Sequence, residues 1–436
     1  MRMLRSSGSR REFVKGVAAA VALPVIVPSR ALGLDGAVAP SNRVAVGVIG
    51  LGDRGPGHLS ELAQFKGVEL VGVCDVRRER MGQFREWVDN RQEKKGCFGT
   101  QDFRELLARA DVDAVTIAAP ENWHAYMSVA AMNAGKDVYC EKALALTVAE
   151  GRAVCEAVKR TGRILQAGIQ QRSDRNFRFA CELARNGYVG KLHTVTVAVP
   201  SGRGEGRRKP RLEAAPVPST LDYDLWLGPA PFKPYRAGID NYNWYFFRDY
   251  CAGWIQSWGV HHLDIALWGA PALAASTLEM EGKAVFVPED DADVSLGWQV
   301  TMRAPDGLVM RFYDDGASPV GHGVRFEGDK GWVQVVRGRI WSEPAGLMEV
   351  VIKPGEEHLY VSRNHMENFL DCIRTRRQPA ATAETCQKAT AVSLAADIAS
   401  RAGRKLVWDN RAERFAGDEV ANRMLVRTMR KGWEIA

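Results

Sequence analysis

The chain has 436 residues, of which 46% are hydrophobic and 25% are charged, and its formal net charge is +7. This length and composition predict a globular protein of two domains with substantial hydrophobic cores. No apolar run can span a membrane, the eight cysteines lack metal-ligand spacing, and the basic segment 203–211 reads as a solvated loop rather than a polyanion-binding patch. We therefore expect no stable membrane insertion, no disulfide framework, no metal site and no nucleic-acid partner.

Residues 1–31 resemble a twin-arginine export signal. Arg10 and Arg11 precede an apolar segment, 17–27, and small residues follow around Ala31. The alternative is a basic amphipathic start of a protein that stays cytosolic. The pattern predicts export of the folded protein through the twin-arginine route, to the periplasm or elsewhere outside the cytoplasm.

The segment 44–58 carries a glycine-rich fingerprint where a predicted strand gives way to a predicted helix. The letters GLGDRG, starting at Gly50, have the spacing G-x-G-x-x-G. In such a fingerprint Gly50 permits the tight turn, Gly52 lets the backbone approach a pyrophosphate, and Gly55 allows the helix to pack closely on the strand. The alternative is a glycine turn in some other α/β protein that binds no dinucleotide.

A carboxylate follows the next predicted strand. The apolar run 68–74 ends at Asp75, 20 residues beyond the last glycine, where the fingerprint places an acid for the adenosine ribose hydroxyls. This acid favours NAD. Arg77 and Arg78 follow directly and can hold a 2′-phosphate, so NADP also remains open.

Strand and helix patterns alternate over residues 44–168. Further strands are predicted at 113–119, 136–140 and 164–168, and helices at 78–95, 103–107, 125–134 and 148–160. This alternation predicts a dinucleotide-binding Rossmann domain, which is an α/β fold with a doubly wound parallel sheet.

The remainder of the chain predicts a second domain and a tail. Residues 169–408 contain strand patterns such as 192–199, 284–286, 294–302 and 331–336, and helix patterns at 257–268, 364–376 and 381–402. They predict an α+β domain with an open, mainly antiparallel sheet that covers the cofactor cleft. The basic tail, 409–436, is expected to pack on the body or on a neighbouring subunit.

Several motifs together carry a family resemblance. They read GVIGLGDRGPGH, AAPENWH, VYCEKALALTVAEGR and QAGIQQRS in the first domain, and LDYDLWLGPAP, YNWYFFRDY, SWGVHHLDIALWG and NHMENFLDCIRTRRQP in the second. In combination they resemble the Gfo/Idh/MocA oxidoreductases, the group of glucose-fructose oxidoreductase and inositol dehydrogenase, in a secreted bacterial branch. The resemblance covers nearly the whole chain after the leader, and it implies a nicotinamide cofactor, a sugar or polyol substrate and a homo-oligomer.

The resemblance implies a catalytic pair. The family's Glu-Lys-Pro motif places Lys142 at the reacting hydroxyl, although its proline is Ala143 here. The pattern D-x-x-x-H-x-x-D falls on Ser257, His261 and Asp264, so a serine replaces the first carboxylate. Serine without an activator is no base near neutral pH and can only orient or hydrogen-bond. Lys142 and His261 are therefore the predicted catalytic residues that share the proton transfer.

The remaining predicted site residues surround this pair. Asn122 and His124 lie on a predicted loop that the family places beside the nicotinamide, although His124 can instead fix that loop. The letters HHLD at 261–264 can also form a structural cluster or a metal site. Cofactor contacts are predicted at the three glycines and at Asp53, Arg54, Asp75, Pro120, Asn122, His124, Glu141 and Lys142. Substrate contacts are predicted at Arg172, Ser257, His261, His262 and Asp264.

Three functions stay open. The first is an oxidoreductase acting on a sugar, polyol or sugar derivative, with NAD or NADP tightly bound because no ample nicotinamide pool exists outside the cytoplasm. The second is a glycoside hydrolase that uses transient oxidation and elimination and consumes no cofactor. The third is an inactive sugar-binding protein, for which the departures at Ser257 and Ala143 argue.

Overall fold

The computed structural model describes residues 42–202, 212–286 and 292–435. The predicted leader at 1–31 and the basic segment 203–211 lie outside the described residues. Within those ranges, no helix combines the length and the apolar character that crossing a membrane requires.

The first domain alternates strands and helices along the chain. Its strands are β1 (Val44–Ile49), β2 (Val68–Cys74), β3 (Phe98–Thr100), β4 (Ala114–Ile117), β5 (Asp137–Cys140) and β6 (Leu165–Ala167). Its helices are α1 (Gly55–Leu62), α2 (Arg78–Arg91), α3 (Phe103–Leu107), α4 (Glu121–Asn133) and α5 (Val148–Thr161). The strands form one parallel sheet in the order β3-β2-β1-β4-β5-β6. Strand β4 is buried throughout, as expected where helices cover both faces. The predicted doubly wound parallel sheet is confirmed.

The second domain is built on a larger mixed sheet. Its strands are β7 (Leu192–Val199), β8 (Thr277–Val285), β9 (Gly297–Arg303), β10 (Val309–Asp314), β11 (Gly323–Gly328), β12 (Gly331–Val336), β13 (Arg339–Glu343), β14 (Leu406–Asp409) and β15 (Arg414–Phe415). Their order is β13-β12-β11-β7-β10-β9-β8-β14-β15, and only the neighbours β7 and β10 pair in parallel. The predicted open, mainly antiparallel sheet is confirmed.

The helices that follow the first sheet are α6 (Arg175–Arg185), α7 (Tyr223–Leu227), α8 (Trp254–Ser257), α9 (Gly259–Gly269), α10 (Pro271–Ala275), α11 (His365–Thr375), α12 (Ala383–Ala402) and α13 (Glu419–Asn422). Of these, α6, α9 and α12 pack on the second sheet. Helix α12 packs on α9, α5 and β8, and therefore joins the two domains. Buried residues alternate with partly or fully exposed ones along β10, so the described residues leave the other face of the sheet uncovered.

The division at residue 168 does not separate the two cores completely. Helix α11, which the sequence places in the second domain, contributes Met366, Phe369 and Leu370 to the core on one face of the first sheet. The ring of Phe369 packs edge-on against Tyr139 of β5. The first domain is therefore completed by a segment that returns to it about 200 residues later.

Two predicted helices begin or run differently in the structure. Helix α4 begins at Glu121 rather than at Ala125, because Pro120 suits the start of a helix. The first turn of α4 contains polar residues, so a prediction from apolar periodicity misses it. The predicted helix 257–268 is two helices, α8 and α9, with Trp258 between them.

Candidate active site

A cleft of about 950 Å³ lies between the carboxyl ends of the first sheet's strands and the second domain. Such an edge is where open α/β sheets bind their ligands. The predicted site residues that line it are Gly50, Gly52, Asp53, Arg54, Asp75, Pro120, His124, Glu141, Lys142 and His261. The structure therefore brings most of the predicted cofactor positions and both predicted catalytic residues to one cavity.

The glycine-rich loop has the shape that a pyrophosphate requires. Gly50 has a φ of +83°, and a Cβ there would lie 2.6 Å from the carbonyl oxygen of Ala118. A Cβ on Gly55 would lie 1.9 Å from the carbonyl oxygen of Gly50, so the helix can pack only without one. Gly52 is different, because a Cβ there would meet nothing closer than Arg80 at 3.8 Å. The space above Gly52 is open to the cleft, so the loop fits a dinucleotide.

Asp75 supports the glycine-rich loop from the end of β2. Its Oδ2 accepts a hydrogen bond from the backbone N–H of Leu51 at 2.7 Å, and Oδ1 accepts one from Arg77 at 2.8 Å. Burial raises the pKa of Asp75 above its ordinary value. The Arg77 side chain donates from Nε to Asp240 Oδ2 of the second domain at 2.5 Å. Its charge is therefore already paired across the cleft.

Glu141 connects the glycine-rich loop to the catalytic end of the cleft. Its Oε1 lies 2.9 Å from Arg54 Nε and 3.0 Å each from His58 Nε2 and Gln170 Nε2. Burial works to raise the pKa of Glu141, but His58, Arg54 and Lys142 outweigh it and hold the pKa well below the ordinary value. Glu141 is thus an ionised, fully engaged carboxylate that fixes its neighbours.

Lys142 is held by hydroxyl groups. Its Nζ donates to Ser257 Oγ at 2.7 Å and lies 3.5 Å from Tyr245 OH, while Ser257 Oγ donates to Tyr245 OH at 2.9 Å. The Lys142–Ala143 peptide bond is cis. Ser257 therefore orients the amine, as its chemistry allows, and no carboxylate lies in hydrogen-bond contact with the amine among the described residues.

His261 faces the same cavity from α9. It is 4% exposed, and its Nδ1 has no hydrogen-bond partner among the described residues. Burial, followed by the positive charges of Lys142 and Arg337, lowers the pKa of His261 well below 6.5. The imidazole is therefore neutral near neutral pH and can accept a proton.

Four of the five predicted substrate residues lie behind the cleft lining, and fully buried Ser257 is one of them. Arg172 and Asp264 form a buried two-pronged ion pair, with distances of 2.7 and 2.8 Å. His262 is fully buried and packs against Trp258 and His322. Within the described residues no group of three or more His, Cys, Asp or Glu side chains is placed to hold a metal ion. The arginine and the aspartate engage each other, which leaves neither free for a substrate.

Asn122 and His124 lie in the first turn of α4 rather than on a loop. Asn122 donates from Nδ2 to the carbonyl oxygen of Leu227 at 3.2 Å and does not line the cleft. His124 has its two ring nitrogens 2.6 and 2.8 Å from the carbonyl oxygens of Ala143 and Ala119. This placement suits the alternative in which His124 fixes the loop.

Two residues of the cleft received no role from the sequence. Tyr245 stands in the motif YNWYFFRDY, and its hydroxyl completes the Lys142 network. Glu121 is only 1% exposed and belongs to the cleft lining, and its carboxylate is hydrogen-bonded by the Cys251 thiol, which, after burial, raises the pKa of that thiol. Its position directly after Pro120, at the end of a strand, was the available signal.

Two family models match the chain. The first, described as "Oxidoreductase family, NAD-binding Rossmann fold", matches residues 44–169. The second, described as "Oxidoreductase family, C-terminal alpha/beta domain", matches residues 183–435. Together they extend over both domains of the structure.

Known proteins resemble this chain in sequence and fold. Myo-inositol 2-dehydrogenase of Thermotoga maritima is 32% identical over 178 residues, which is 41% of this chain and 47% of that protein. Alpha-N-acetylgalactosaminidase of Shewanella oneidensis is 32% identical over 169 residues, covering 38% and 37%. The chain thus matches less than half the length of these relatives. An aldose-aldose oxidoreductase from Caulobacter crescentus, solved with glycerol, shares the fold with a TM-score of 0.62, 19% identity, and 83% and 99% coverage.

Proposed function

We propose, from the premise that this chain belongs to the Gfo/Idh/MocA oxidoreductase family, that it transfers a hydride between a nicotinamide cofactor and a sugar, polyol or sugar derivative. One observation carries the proposal: the glycine-rich loop and the Lys142 amine line the same cleft of about 950 Å³. The names of two relatives refer to a polyol substrate and to a glycoside substrate. These names support a carbohydrate substrate for this chain.

The cofactor we favour is NAD. The open space at Gly52 fits the pyrophosphate, and the Asp75 carboxylate at the end of β2 fits the ribose hydroxyls. Because the Arg77 side chain is paired with Asp240, it is not available to bind the 2′-phosphate of NADP. When bound, the nicotinamide supplies the acceptor and donor of the hydride.

Lys142 and His261 divide the proton chemistry in this proposal. The Lys142 amine, oriented by Ser257 at 2.7 Å, donates a hydrogen bond to the reacting oxygen. The neutral His261 imidazole, which follows Ser257 by four residues and lines the same cleft, accepts a proton. Oxidation of a carbinol requires the protein to stabilise charge on the oxygen and to remove the hydroxyl proton.

We further propose that the protein is exported and keeps its cofactor tightly bound. The leader 1–31 supports the twin-arginine route, which moves folded proteins. Replacing Arg10 and Arg11 together by lysine should leave the protein in the cytoplasm, as measured by fractionation. The matched control replaces Arg2 and Arg5, and periplasmic accumulation of the first variant would contradict the export proposal.

A homo-oligomer is proposed as well. The outer face of the nine-stranded sheet supports it, since no layer of the described residues covers that face. Light scattering on the purified protein should give a multiple of the 48.1 kDa chain, less the leader if it is removed. A single-chain mass at micromolar concentration would contradict this assembly.

A second candidate is a redox-neutral glycoside hydrolase. The likeness to a protein named alpha-N-acetylgalactosaminidase favours it, as does the absence of a carboxylate at Ser257. In that reaction a transient oxidation acidifies a neighbouring C–H, the aglycone is eliminated, water adds, and the hydride returns. An inactive sugar-binding protein is the third candidate.

One experiment separates the three functions. The purified protein is denatured, its nicotinamide is identified by mass spectrometry, and the native protein is then mixed with free aldoses, polyols and p-nitrophenyl glycosides. The oxidoreductase should show a rise in absorbance at 340 nm with a free sugar or polyol. Release of p-nitrophenol without net reduction would support the hydrolase. Binding of sugars without either signal would leave the inactive protein, and a protein that neither holds nor binds NAD or NADP would overturn both enzymes.

A further inference from the structure

Arg337 is a cation of the cleft that has no acidic partner in direct contact. It lies in the turn between β12 and β13, is exposed, and lines the cleft together with Lys142 and His261. In the described part of the chain no carboxylate is hydrogen-bonded to its guanidinium group, and the acids whose charges act on it are Glu141 and Asp174. Arginine is normally paired where it lines a site, so a ligand is a candidate for the missing anion.

Both of these acids are engaged elsewhere. Glu141 Oε1 accepts a hydrogen bond from Arg54 Nε at 2.9 Å. Asp174 Oδ1 accepts one from the backbone N–H of Asn176 at 2.7 Å, at the start of α6. Neither carboxylate therefore neutralises Arg337 by direct contact.

The ring of Trp258 supports the guanidinium group. The Cζ atom of Arg337 lies 4.7 Å from the centroid of this ring, which also packs against His262 and His322. A guanidinium group that stacks on an aromatic face keeps the N–H groups along its edge for other partners. Two of these N–H groups can bind one carboxylate or phosphate group at the same time. The contact thus preorganises a cation for a two-pronged anion.

Trp258 also connects this cation to the catalytic residues. It lies between α8 and α9, directly after Ser257, which accepts the hydrogen bond from Lys142 Nζ at 2.7 Å. The ring centroids of Trp258 and His261 are 5.7 Å apart. After burial, the charges of Lys142 and Arg337 lower the pKa of His261, so both cations act on the same imidazole.

We propose that the substrate carries an anionic group, a carboxylate or a phosphate ester, and that Arg337 is the specificity-determining residue that binds it. This inference rests on the proposed function, and it narrows the substrate class from sugars and polyols to sugar acids and sugar phosphates. The cleft offers two cations without a carboxylate in contact, Lys142 and Arg337. A neutral sugar balances neither charge, whereas an anionic sugar complements them.

The first test compares matched sugars on the wild-type protein saturated with NAD. Glucose, galactose and mannose are each compared with their uronate and their 6-phosphate by isothermal titration. For at least one of the three sugars, an anionic form should bind at least about tenfold more tightly than the neutral form. Preference for the uronate would identify the group as a carboxylate, and preference for the 6-phosphate would identify it as a phosphate ester. A panel in which no anionic form binds more tightly than its neutral form would overturn the inference.

Substitutions assign the preference to Arg337. Arg337→Gln should weaken binding of the preferred anionic sugar about 10- to 100-fold and change binding of its neutral form by less than about threefold. Arg337→Lys keeps the charge without the planar fork, so its loss should be smaller than that of R337Q. The matched control is Arg339→Gln, which should behave as the wild type. The guanidinium group of Arg339 also lies 4.7 Å from a tryptophan ring, that of Trp341, but Arg339 does not line the cleft.

The outcomes separate this inference from the proposed function. Unchanged binding of the anionic sugar in R337Q would overturn the inference. Weaker NAD binding as the sole effect of R337Q would also overturn it, because Arg337 would then serve the phosphates of the cofactor. Anionic sugars that bind through Arg337 and are never oxidised would support the anion site and contradict the proposed oxidoreductase function. Oxidation of neutral sugars with a kcat/KM no lower than that of their anionic forms would overturn the inference and leave the oxidoreductase function in place.

Discussion

The Lys142 amine is in contact with hydroxyl groups, Ser257 Oγ at 2.7 Å and Tyr245 OH at 3.5 Å. Neutral partners orient the amine without neutralising its charge. An oxygen that enters the cleft therefore meets a preorganised donor, and the charge that develops on this oxygen during oxidation is stabilised. The side chain at 257 sets this balance, since a carboxylate there would pair with the amine directly.

Replacing Lys142 should remove turnover and spare the cofactor. Lys142→Met keeps the length of the side chain but has no proton to donate, so we expect kcat to fall about 10²- to 10⁴-fold. Binding of NAD, measured by quenching of tryptophan fluorescence, should stay within about threefold. Lys159→Met is the control, because Lys159 lies on the surface beside Glu156. Loss of NAD binding in K142M would show that the amine serves the cofactor instead.

The pH dependence reports on His261. Burial and the charges of Lys142 and Arg337 lower its pKa well below 6.5, and only the neutral imidazole can accept a proton. We therefore expect kcat/KM to show no loss attributable to His261 as the pH falls from 8 to 6.5, because protonation begins only at lower pH. A decline centred near pH 6.5 that disappears in His261→Asn would contradict this burial argument.

The glycine-rich loop shows how far a local pattern determines an element. Its spacing predicts the roles of three glycines, and two of these roles appear as close contacts, at Gly50 and Gly55. The carboxyl-end position of Lys142 also follows from strand periodicity. Contacts distant in sequence do not follow from any pattern, as with the pairing of Arg172 and Asp264, 92 residues apart. Arg172 lies in the 3-10 turn Gln170–Ser173, before α6, and Asp264 lies in α9, so their pairing depends on how this turn packs on α9, which spacing within one helix cannot report.

Two glycine substitutions should separate folding from binding. In Gly55→Ala the new Cβ would collide with the Gly50 carbonyl oxygen, so we expect a lower Tm and loss of NAD binding. In Gly52→Ala the Cβ has space in the free protein, so Tm should stay within about 1 °C of the wild type. NAD affinity should nevertheless fall at least about tenfold, because the methyl group occupies the approach of the pyrophosphate. Equal losses of Tm in both variants would contradict this distinction.

The two domains of the whole molecule meet across the cofactor cleft. Arg77 follows β2 of the Rossmann domain, and its partner Asp240 comes from the second domain. Because Arg77 also contacts Asp75, the acid that the proposed cofactor site places at the ribose, we expect the choice between NAD and NADP to depend on both domains. Neither motif alone predicts this choice, because Arg77 in the sequence leaves NADP open and its pairing with Asp240 is visible only in the structure.

Asp240→Asn should therefore change cofactor preference. Freed from its acidic partner, Arg77 can receive the 2′-phosphate, so we expect NADP affinity to rise about tenfold while NAD affinity changes little. Isothermal titration of the protein stripped of nucleotide gives both constants. Asp224→Asn, at an exposed ion pair with Arg430, is the matched control. If the ratio of NAD affinity to NADP affinity is unchanged in D240N, Asp75 alone determines the preference between the two cofactors.

Helix α11 has a consequence for exchanging parts between relatives. Because Met366, Phe369 and Leu370 complete the core beside β1 and β5, the Rossmann unit is discontinuous along the chain. A chimera with a single junction near residue 168 would combine the first sheet of this protein with the α11 of another protein. Mismatched side-chain volumes in their shared core would then destabilise the chimera. Grafting a new substrate domain with the native α11 retained therefore calls for three junctions, one near residue 168 and one on each side of α11, because β14 and β15 of the second sheet follow α11 in the chain.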